Sequence, residues 1–251
     1  MKLKRIEKIE EYIYKNGSVS LDELCDIFNV SKNTIRRDIN YLEQSGILKK
    51  VYGGVLANKT SLIPFENRTI QNQEKKQSIA HLAASFIEEN DLVFIDSGTT
   101  TCQMLEVIDN NRNFTILTNS LDIINAAATL TNIKLIIIGH TYKRETQSFV
   151  GIDEDATINR YNINKAFMSV TGVSIKHGLT NADMLETEIK KYVVNRAGEL
   201  YLLADSSKFG KSTLLTYAEL KDVKNIITNE SLSTEFVSYC SVNSINIQYA
   251  K

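Results

Sequence analysis

Residues 30–54 read VSKNTIRRDINYLEQSGILKKVYGG, and this stretch joins a basic helix to a glycine-containing hairpin. Ser31 is placed to cap the helix, and Ile35 and Ile39 recur at the spacing of one helical face. Gly46 is expected to end the helix. The next ten residues predict two short strands that turn near a glycine pair. The pattern is typical of a recognition helix followed by a hairpin wing.

Two further helices are predicted upstream of this stretch. Their apolar residues recur at helical spacing: Leu3, Ile6, Ile9 and Ile13 in the first helix, and Leu21, Leu24, Cys25 and Phe28 in the second. Gly17 is expected to end the first helix, and Ser20 is placed to cap the second. Residues 1–57 therefore predict a small domain of three helices and a hairpin.

The polar residues of the third helix have the chemistry of a DNA-reading surface. A recognition helix presents its first turns to base edges, where hydroxyls, amides and arginines can form specific hydrogen bonds. The helix contributes Ser31, Lys32, Asn33, Thr34, Arg36 and Arg37. The hairpin contributes Lys49, Lys50, Tyr52, Gly53 and Gly54, with the lysines beside phosphates. A capped, solvated helix without DNA contacts is the alternative, which the order of the elements disfavours.

Charge and composition are compatible with this interpretation. The first 60 residues contain 11 Lys or Arg and 8 Asp or Glu, a net +3, whereas the whole chain has a net charge of −1. A basic N-terminal segment followed by an acidic remainder of the chain fits a polyanionic partner for the N-terminal segment. Three widely separated cysteines disfavour a disulfide framework or a zinc cluster and fit a reducing cytosol. We expect a cytoplasmic location, because no signal core or membrane-spanning run is present.

The remainder of the chain has the rhythm of an α/β domain. Residues 58–75 carry little apolar periodicity and are predicted to be a linker. From residue 76, short apolar runs alternate with helical segments, which predicts a mainly parallel sheet in a domain over residues 76–251. The predicted strands are 92–95, 114–117, 134–138, 166–170, 200–203, 225–227 and 245–247.

Small polar residues follow the ends of these strands, where open α/β sheets bind ligands. The segment Ser97-Gly98-Thr99-Thr100 combines backbone freedom, hydroxyl donors and a helix N-terminus, which suits an anion. Lys208 adds a positive charge at another strand end. We predict a small anionic ligand; ordinary loop and cap residues are the alternative. His140, also at a strand end, either influences ligand choice or lies on the surface.

The motifs Thr34-Ile35-Arg36-Arg37-Asp38, Tyr52-Gly53-Gly54, Glu66-x-Arg68, Asp96-Ser97-Gly98-Thr99-Thr100, Thr118-Asn119-Ser120 and Asp205-Ser206-Ser207-Lys208-Phe209-Gly210 together resemble the DeoR family of bacterial repressors. The resemblance implies a winged helix-turn-helix joined to a sensor domain similar in fold to ribose-5-phosphate isomerase. Tyr52, where the family often has His, and Gly139-His140, where it usually has Gly-Gly, depart from the pattern.

The resemblance also implies roles for individual residues. Ser97, Gly98, Thr99 and Thr100 would hold the phosphate of a phosphorylated sugar. The sugar would be surrounded by Asp96, Asn119, Gly172, Asp205 and Lys208. Asp38 would pair with the arginines of its own helix rather than contact DNA. The family habit is repression of an operon for carbohydrate uptake or catabolism, without a cofactor.

Two other functions compete with metabolite-controlled repression of an operator. A sugar-phosphate isomerase needs a positioned general base, but residues 169–174 contain no acid; Glu186 and Glu188 reach either the pocket or solvent. No catalytic triad or metal-ligand spacing is recognisable. A scaffold that binds DNA constitutively is the third possibility. Because a single domain of residues 1–57 makes few contacts with DNA, we expect a homo-oligomer on repeated half-sites, either a dimer or a tetramer.

Overall fold

The computed structural model describes residues 5, 6, 8, 9, 12, 13, 16–44, 48–51, 54–57, 65–108, 112–152 and 160–251. The chain divides into two compact units, Met1–Asn67 and Arg68–Lys251.

The first unit is a small helical domain with a three-stranded sheet. Helix α1 is seen at positions 5, 6, 8, 9, 12, 13 and 16. It is followed by β1 (Ser18–Ser20), α2 (Leu21–Phe28), α3 (Lys32–Gln44), β2 (Leu48–Val51) and β3 (Gly54–Ala57). The sheet has the order β1-β3-β2 and is antiparallel. The predicted hairpin is present as β2 and β3, whereas β1 was not predicted.

Local sequence signals account for most of this unit. The side chain of Ser20 accepts a hydrogen bond from Glu23 N (3.1 Å), and that of Ser31 accepts one from Thr34 N (3.3 Å), as expected for helix caps. The predicted apolar stripes form one buried cluster, which includes Ile6, Ile9, Ile13, Leu24, Ile35, Ile39 and Leu42. Leu3 and Gly46 lie outside the described residues.

The second unit is built around a parallel sheet. Helix α4 (Phe65–Ile70) begins in the first unit and ends in the second. The remaining helices are α5 (Gln73–Ala84), α6 (Leu121–Ala127), α7 (Met184–Arg196) and α8 (Thr234–Val242). Short 3-10 helices cover Thr101–Glu106, Ser206–Lys208 and Leu220–Asp222. The strands are β4 (Leu92–Ile95), β5 (Phe114–Thr118), β6 (Ile133–Ile137), β7 (Thr141–Lys143), β8 (Ser148–Val150), β9 (Ile163–Ser169), β10 (Gly172–Ser174), β11 (Gly178–Asn181), β12 (Ala197–Leu203), β13 (Leu215–Ala218), β14 (Asn225–Thr228) and β15 (Asn246–Tyr249).

The segment predicted as a linker, 58–75, is partly helical. It contains α4 and the first three residues of α5, while positions 58–64 lie outside the described residues. The first turn of α5 has the sequence Gln73-Glu74-Lys75, which carries no apolar periodicity. A helix that begins with a polar turn therefore gives no periodic signal at its start.

All seven predicted strands overlap strands of one seven-stranded parallel sheet. Its order is β15-β14-β12-β9-β4-β5-β6, and every pairing is parallel. Because β9 lies between β4 and β12, the carboxyl ends of these three strands meet at one edge. Two apolar clusters cover the sheet, one containing Phe94 and Met168 and the other Phe167 and Ile95. The fold class is the predicted one, a winged helix-turn-helix with a mainly parallel α/β domain.

Two antiparallel additions were not predicted. Strands β10, β11 and β13 form a separate three-stranded sheet, and β7 pairs with β8 as a hairpin. Both additions carry polar residues to the carboxyl edge of the parallel sheet.

Candidate DNA-binding and effector-binding sites

Helix α3 presents one polar face to solvent. Ile35 and Ile39 are buried in the core of the unit, and Thr34 is half-buried. The exposed residues of the helix and its cap include Ser31, Lys32, Asn33, Arg36 and Arg37. The face that the sequence assigns to DNA is therefore accessible.

Two of the predicted DNA-binding lysines take part in exposed ion pairs. Lys32 Nζ lies 2.6 Å from Asp22 Oδ1, and Lys50 pairs with Glu43. Exposed pairs of this kind contribute about 0–1 kcal/mol, so a phosphate group can displace them. Lys49 is exposed on β2.

The wing is only partly described. Tyr52 and Gly53 lie outside the described residues, so their predicted DNA contacts stay predictions. Gly54 begins β3, where an added Cβ would lie 2.4 Å from the carbonyl oxygen of Val19 on β1. Close approach of β1 therefore requires glycine at this position, independently of DNA.

Asp38 is not paired as predicted. It is 1% exposed and accepts hydrogen bonds from Arg5 Nε (2.8 Å) and Arg5 Nη2 (3.4 Å) of helix α1. Arg36 and Arg37 are one and two residues from Asp38, and helical neighbours share a face only at three or four residues. Asp38 thus joins two helices of the core, and the arginines remain on the exposed face.

The Ser97–Thr101 segment forms a closed turn at the end of β4. Gly98 N donates to Thr101 Oγ1 (3.1 Å), and Thr101 Oγ1 donates to the carbonyl of Asp96 (2.5 Å). Within the described part of the chain, the backbone N–H groups of Thr99 and Thr100 have no acceptor. Both residues are buried. Such unpaired amides at a strand-to-helix turn are suited to an anion.

Glycine at position 98 is required by a neighbouring strand. A Cβ there would lie 2.0 Å from Ser169 Oγ and 2.2 Å from Ser169 Cβ, at the end of β9. The sequence predicts that this glycine gives the backbone freedom to bind an anion. The close contact in the structure is with Ser169.

Asp96 lies in a buried polar cluster with a lysine that the sequence interpretation missed. Asp96 Oδ2 accepts from Ser169 N (2.9 Å), from Ser169 Oγ (2.5 Å) and from Lys190 Nζ. Lys190 also lies over the ring of Tyr217, 5.2 Å from its centroid. The charge of Asp96 is thus neutralised on this side by Lys190 of α7.

Glu186 is a second buried carboxylate at the same edge. It accepts from Ser97 Oγ (3.1 Å), Ser148 Oγ (2.9 Å) and Asn181 Nδ2 (3.3 Å). Glu188 is exposed, which decides the alternative left open by the sequence. Glu186 and Lys190 are four residues apart and therefore share one face of α7. This spacing could have indicated that both side chains point to the same edge of the sheet.

A group of cations lies beside these carboxylates. Lys76 is 3% exposed and donates to the carbonyl of Arg68. The pKa of Lys76 is lowered to about 7, mainly by burial. The positive charges of Lys208 and Arg68 contribute to this lowering, and the negative charge of Asp205 opposes it. Burial also lowers the pKa of Arg68, opposed by Glu186, Cys102 and Asp96. Arg68 belongs to the Glu66-x-Arg68 motif but was not predicted to be a site residue, and Lys76 gave no sequence signal.

Asp205 lies among these cations. Burial alone would raise its pKa, but Lys208, Lys76 and hydrogen bonds from Ser207 together lower it. Asp205 Oδ1 accepts from Asn72 Nδ2 (3.3 Å), whereas Oδ2 has no partner among the described residues. An unpaired, buried carboxylate oxygen can accept a hydrogen bond from a ligand hydroxyl.

The remaining predicted site residues have mixed surroundings. Asn119 is buried and donates to the carbonyl of Phe149 (3.1 Å). Gly172 is packed against backbone, since a Cβ there would lie 2.8 Å from the carbonyl of Lys211. His140 is exposed and its Nδ1 lies 2.9 Å from Thr141 Oγ1.

Cys102 lies close to the site without the properties of a nucleophile. Burial raises the pKa of its thiol to about 12, so the reactive thiolate is not populated near neutral pH. Across the described residues, His, Cys, Asp and Glu side chains form no group of three that could hold a metal ion. Every helix in that part of the chain is too short or too polar to cross a membrane.

The sequence matches two family models. A DeoR-like helix-turn-helix domain covers residues 5–61, and a DeoR C terminal sensor domain covers residues 71–230. The chain therefore belongs to the DeoR family, and it is a DNA-binding transcriptional regulator, not an enzyme.

Individual relatives agree with this assignment. The chain is 61% identical over 251 residues to the HTH-type transcriptional regulator IolR of Bacillus subtilis, covering all of both chains. It is 31% identical to a lactose phosphotransferase system repressor of Staphylococcus epidermidis (92% of this chain, 93% of the relative). It is 30% identical to the L-fucose operon activator of Haemophilus influenzae (96% and 97%). Among solved structures, ribose 5-phosphate isomerase A of Neisseria gonorrhoeae matches with 16% identity and a TM-score of 0.41, over 55% of this chain and 54% of that one.

Proposed function

We propose that this regulator is a cytoplasmic repressor of an operon for carbohydrate uptake or catabolism. A phosphorylated sugar, bound at the carboxyl edge of the parallel sheet, is the effector that releases it from operator DNA. The names of relatives include a repressor and an activator of sugar-related operons, and a repressor is the family habit.

The cationic edge of the sheet is the observation that carries this proposal. The unpaired amides of Thr99 and Thr100 lie at the end of β4, and Lys208 follows β12, two strands away. The charges of Glu186 and Asp96 raise the pKa of Arg68 against the effect of burial, and the charge of Arg68 helps to lower the pKa of Lys76. Free amides and buried cations together favour a phosphate group. Buried acceptors such as Asp205 favour hydroxyl groups on the same ligand.

Release from DNA requires differential binding. The effector must bind the arrangement that cannot hold DNA more tightly than the one that can, because equal affinity for both would shift nothing. We propose a homo-oligomer, in which the spacing of two or more recognition helices sets affinity for repeated half-sites. Effector binding would change that spacing.

The test is fluorescence anisotropy of the full chain on DNA from upstream of its own gene, at fixed salt. Hexose, pentose and triose phosphates and their unphosphorylated parents are then titrated. We expect sequence-selective binding that one phosphate ester abolishes. Absence of selective binding would contradict the proposed operator. Selective binding that no phosphorylated sugar alters would favour constitutive DNA binding, and binding that an ester tightens would indicate an activator or corepressor response.

Two variants separate the sites. Arg36→Ala is expected to weaken operator binding and retain effector binding. Lys208→Ala is expected to bind the operator and lose the response to the effector. Loss of both activities in either variant would contradict the assignment of that residue.

A further inference from the structure

Glu186 joins four elements of the effector site. It lies in the first turn of α7, where Asp183 caps the helix by accepting from Glu186 N (3.0 Å). Its carboxylate accepts from Ser97 after β4, Ser148 on β8 and Asn181 on β11. The side chain is 6% exposed. A buried carboxylate that gathers donors from three other elements is placed to organise a ligand as well as the fold.

The bonds at Glu186 come from neutral groups that a sugar can replace. Two serine hydroxyls donate to Oε1 at 3.1 and 2.9 Å, and one amide donates to Oε2 at 3.3 Å. Sugar hydroxyls are donors of the same kind as the serine hydroxyls. A ligand that enters here can therefore exchange one hydroxyl for another without leaving the carboxylate unpaired.

Charge places the phosphate of the ligand away from Glu186. An anion that accepted a hydrogen bond from Ser97 Oγ would lie beside a carboxylate oxygen that is 3.1 Å from the same atom. Like charges at such short range repel strongly in a buried site. The amides of Thr99 and Thr100 are the better donors to a phosphate, and Ser97 belongs to the sugar end.

We infer that Glu186 binds the hydroxyl groups of the effector and so makes the site selective for a phosphorylated sugar over a bare phosphate anion. The inference rests on the proposed function and assigns an orientation to the ligand. The phosphate lies towards Thr99, Thr100 and the cations, and the polyol lies towards Glu186.

The test compares Glu186→Gln with Glu188→Gln in the full chain. Glu188 lies on the same helix but is exposed, so it controls for the loss of one negative charge from α7. Isothermal titration gives the affinity of each protein for inorganic phosphate and for a panel of hexose, pentose and triose phosphates. The quantity of interest is the affinity for the sugar phosphate that binds best, divided by the affinity for inorganic phosphate.

We expect that ratio to fall about 10- to 100-fold in Glu186→Gln, which corresponds to one lost hydrogen bond to a charged group. The affinity for inorganic phosphate should stay unchanged or increase, because a repelling charge is removed. Glu188→Gln should match the wild type both in this ratio and in its affinity for inorganic phosphate. Retained operator binding and an unchanged melting midpoint without ligand would show that Glu186→Gln is folded.

The possible failures are distinguishable. If wild-type protein binds neither phosphate nor any sugar phosphate, the proposed function fails. If wild-type protein is selective and Glu186→Gln keeps the full ratio, only the role of Glu186 is overturned. Equal loss of affinity for both kinds of ligand would make Glu186 a structural residue and would also overturn the inference.

Discussion

Replacement of Lys76 by methionine tests whether the effector site is maintained at the expense of stability. Lys76 is buried beside other cations, and burial is the main reason that its pKa is lowered to about 7. Methionine fills a similar volume without a charge. We expect the variant to be more stable than wild type near neutral pH and to bind anions more weakly.

The magnitude follows from the pKa. Its lowering from 10.5 to about 7 corresponds to about 5 kcal/mol of destabilisation below pH 7, at about 1.4 kcal/mol per pH unit. The unfolded chain binds this proton more tightly than the folded chain, so wild-type stability rises as the pH increases from about 7 towards 10.5. The charge penalty is therefore about 5 kcal/mol at pH 6 and about 2 kcal/mol at pH 9.

Methionine also removes the donor to the carbonyl of Arg68. An unsatisfied buried carbonyl costs about 1–3 kcal/mol at any pH. Lys76→Met should therefore be more stable than wild type by about 2–4 kcal/mol at pH 6, and the two should differ little at pH 9.

Urea denaturation at pH 6 and pH 9 measures this difference, with tyrosine fluorescence as a probe because the chain contains 11 Tyr and no Trp. Lys75→Met is the control, since Lys75 forms an exposed ion pair with Glu230 (2.8 Å) and should contribute little at either pH. A stability difference for Lys76→Met that is the same at both pH values would refute the argument from burial. Unchanged affinity for inorganic phosphate would refute the role of Lys76 in the anion site.

Three further changes test the other sites. Arg36→Ala should weaken operator binding by about 1–3 kcal/mol, measured by anisotropy, because an exposed arginine of α3 is lost. Asp38→Ala should lower the melting midpoint of the DNA-binding unit and destabilise it by about 1–3 kcal/mol, because Arg5 loses its buried partner. Gly98→Ala should destabilise the sensor domain by about 1–3 kcal/mol or more, measured by urea denaturation, because the added methyl group would overlap Ser169.

Each of these predictions has a contrary outcome. Equal operator affinity for Arg36→Ala and wild type would show that Arg36 does not contact the operator. An unchanged melting midpoint for Asp38→Ala would mean that the Arg5 pair is not a core contact. For Gly98→Ala, the destabilisation should be smaller in a Ser169→Gly background than in wild type, and additive effects would contradict direct overlap.

The elements themselves follow from local sequence. Helix α3 is specified within about a dozen residues by its Ser31 cap and by the spacing of Ile35 and Ile39, and these signals depend only on neighbouring residues. The seven strands of the parallel sheet follow from short apolar runs, which are local signals. The family motifs identify the turn at the end of β4 as a candidate anion site, because a backbone turn and its glycine are also local features.

The partners of the buried charges were decided by the tertiary structure. Asp38 pairs with Arg5, 33 residues away, although two arginines precede it directly. Glu186 meets Ser97 across 89 residues, and Lys190 meets Asp96 across 94. The contacts of Glu186 and Lys190 depend on β9 lying between β4 and β12 and on α7 packing over that edge. Strand order and helix packing are set by burial summed over the whole domain. Local sequence patterns therefore place a charged residue on an element, but they do not determine which distant residue it contacts.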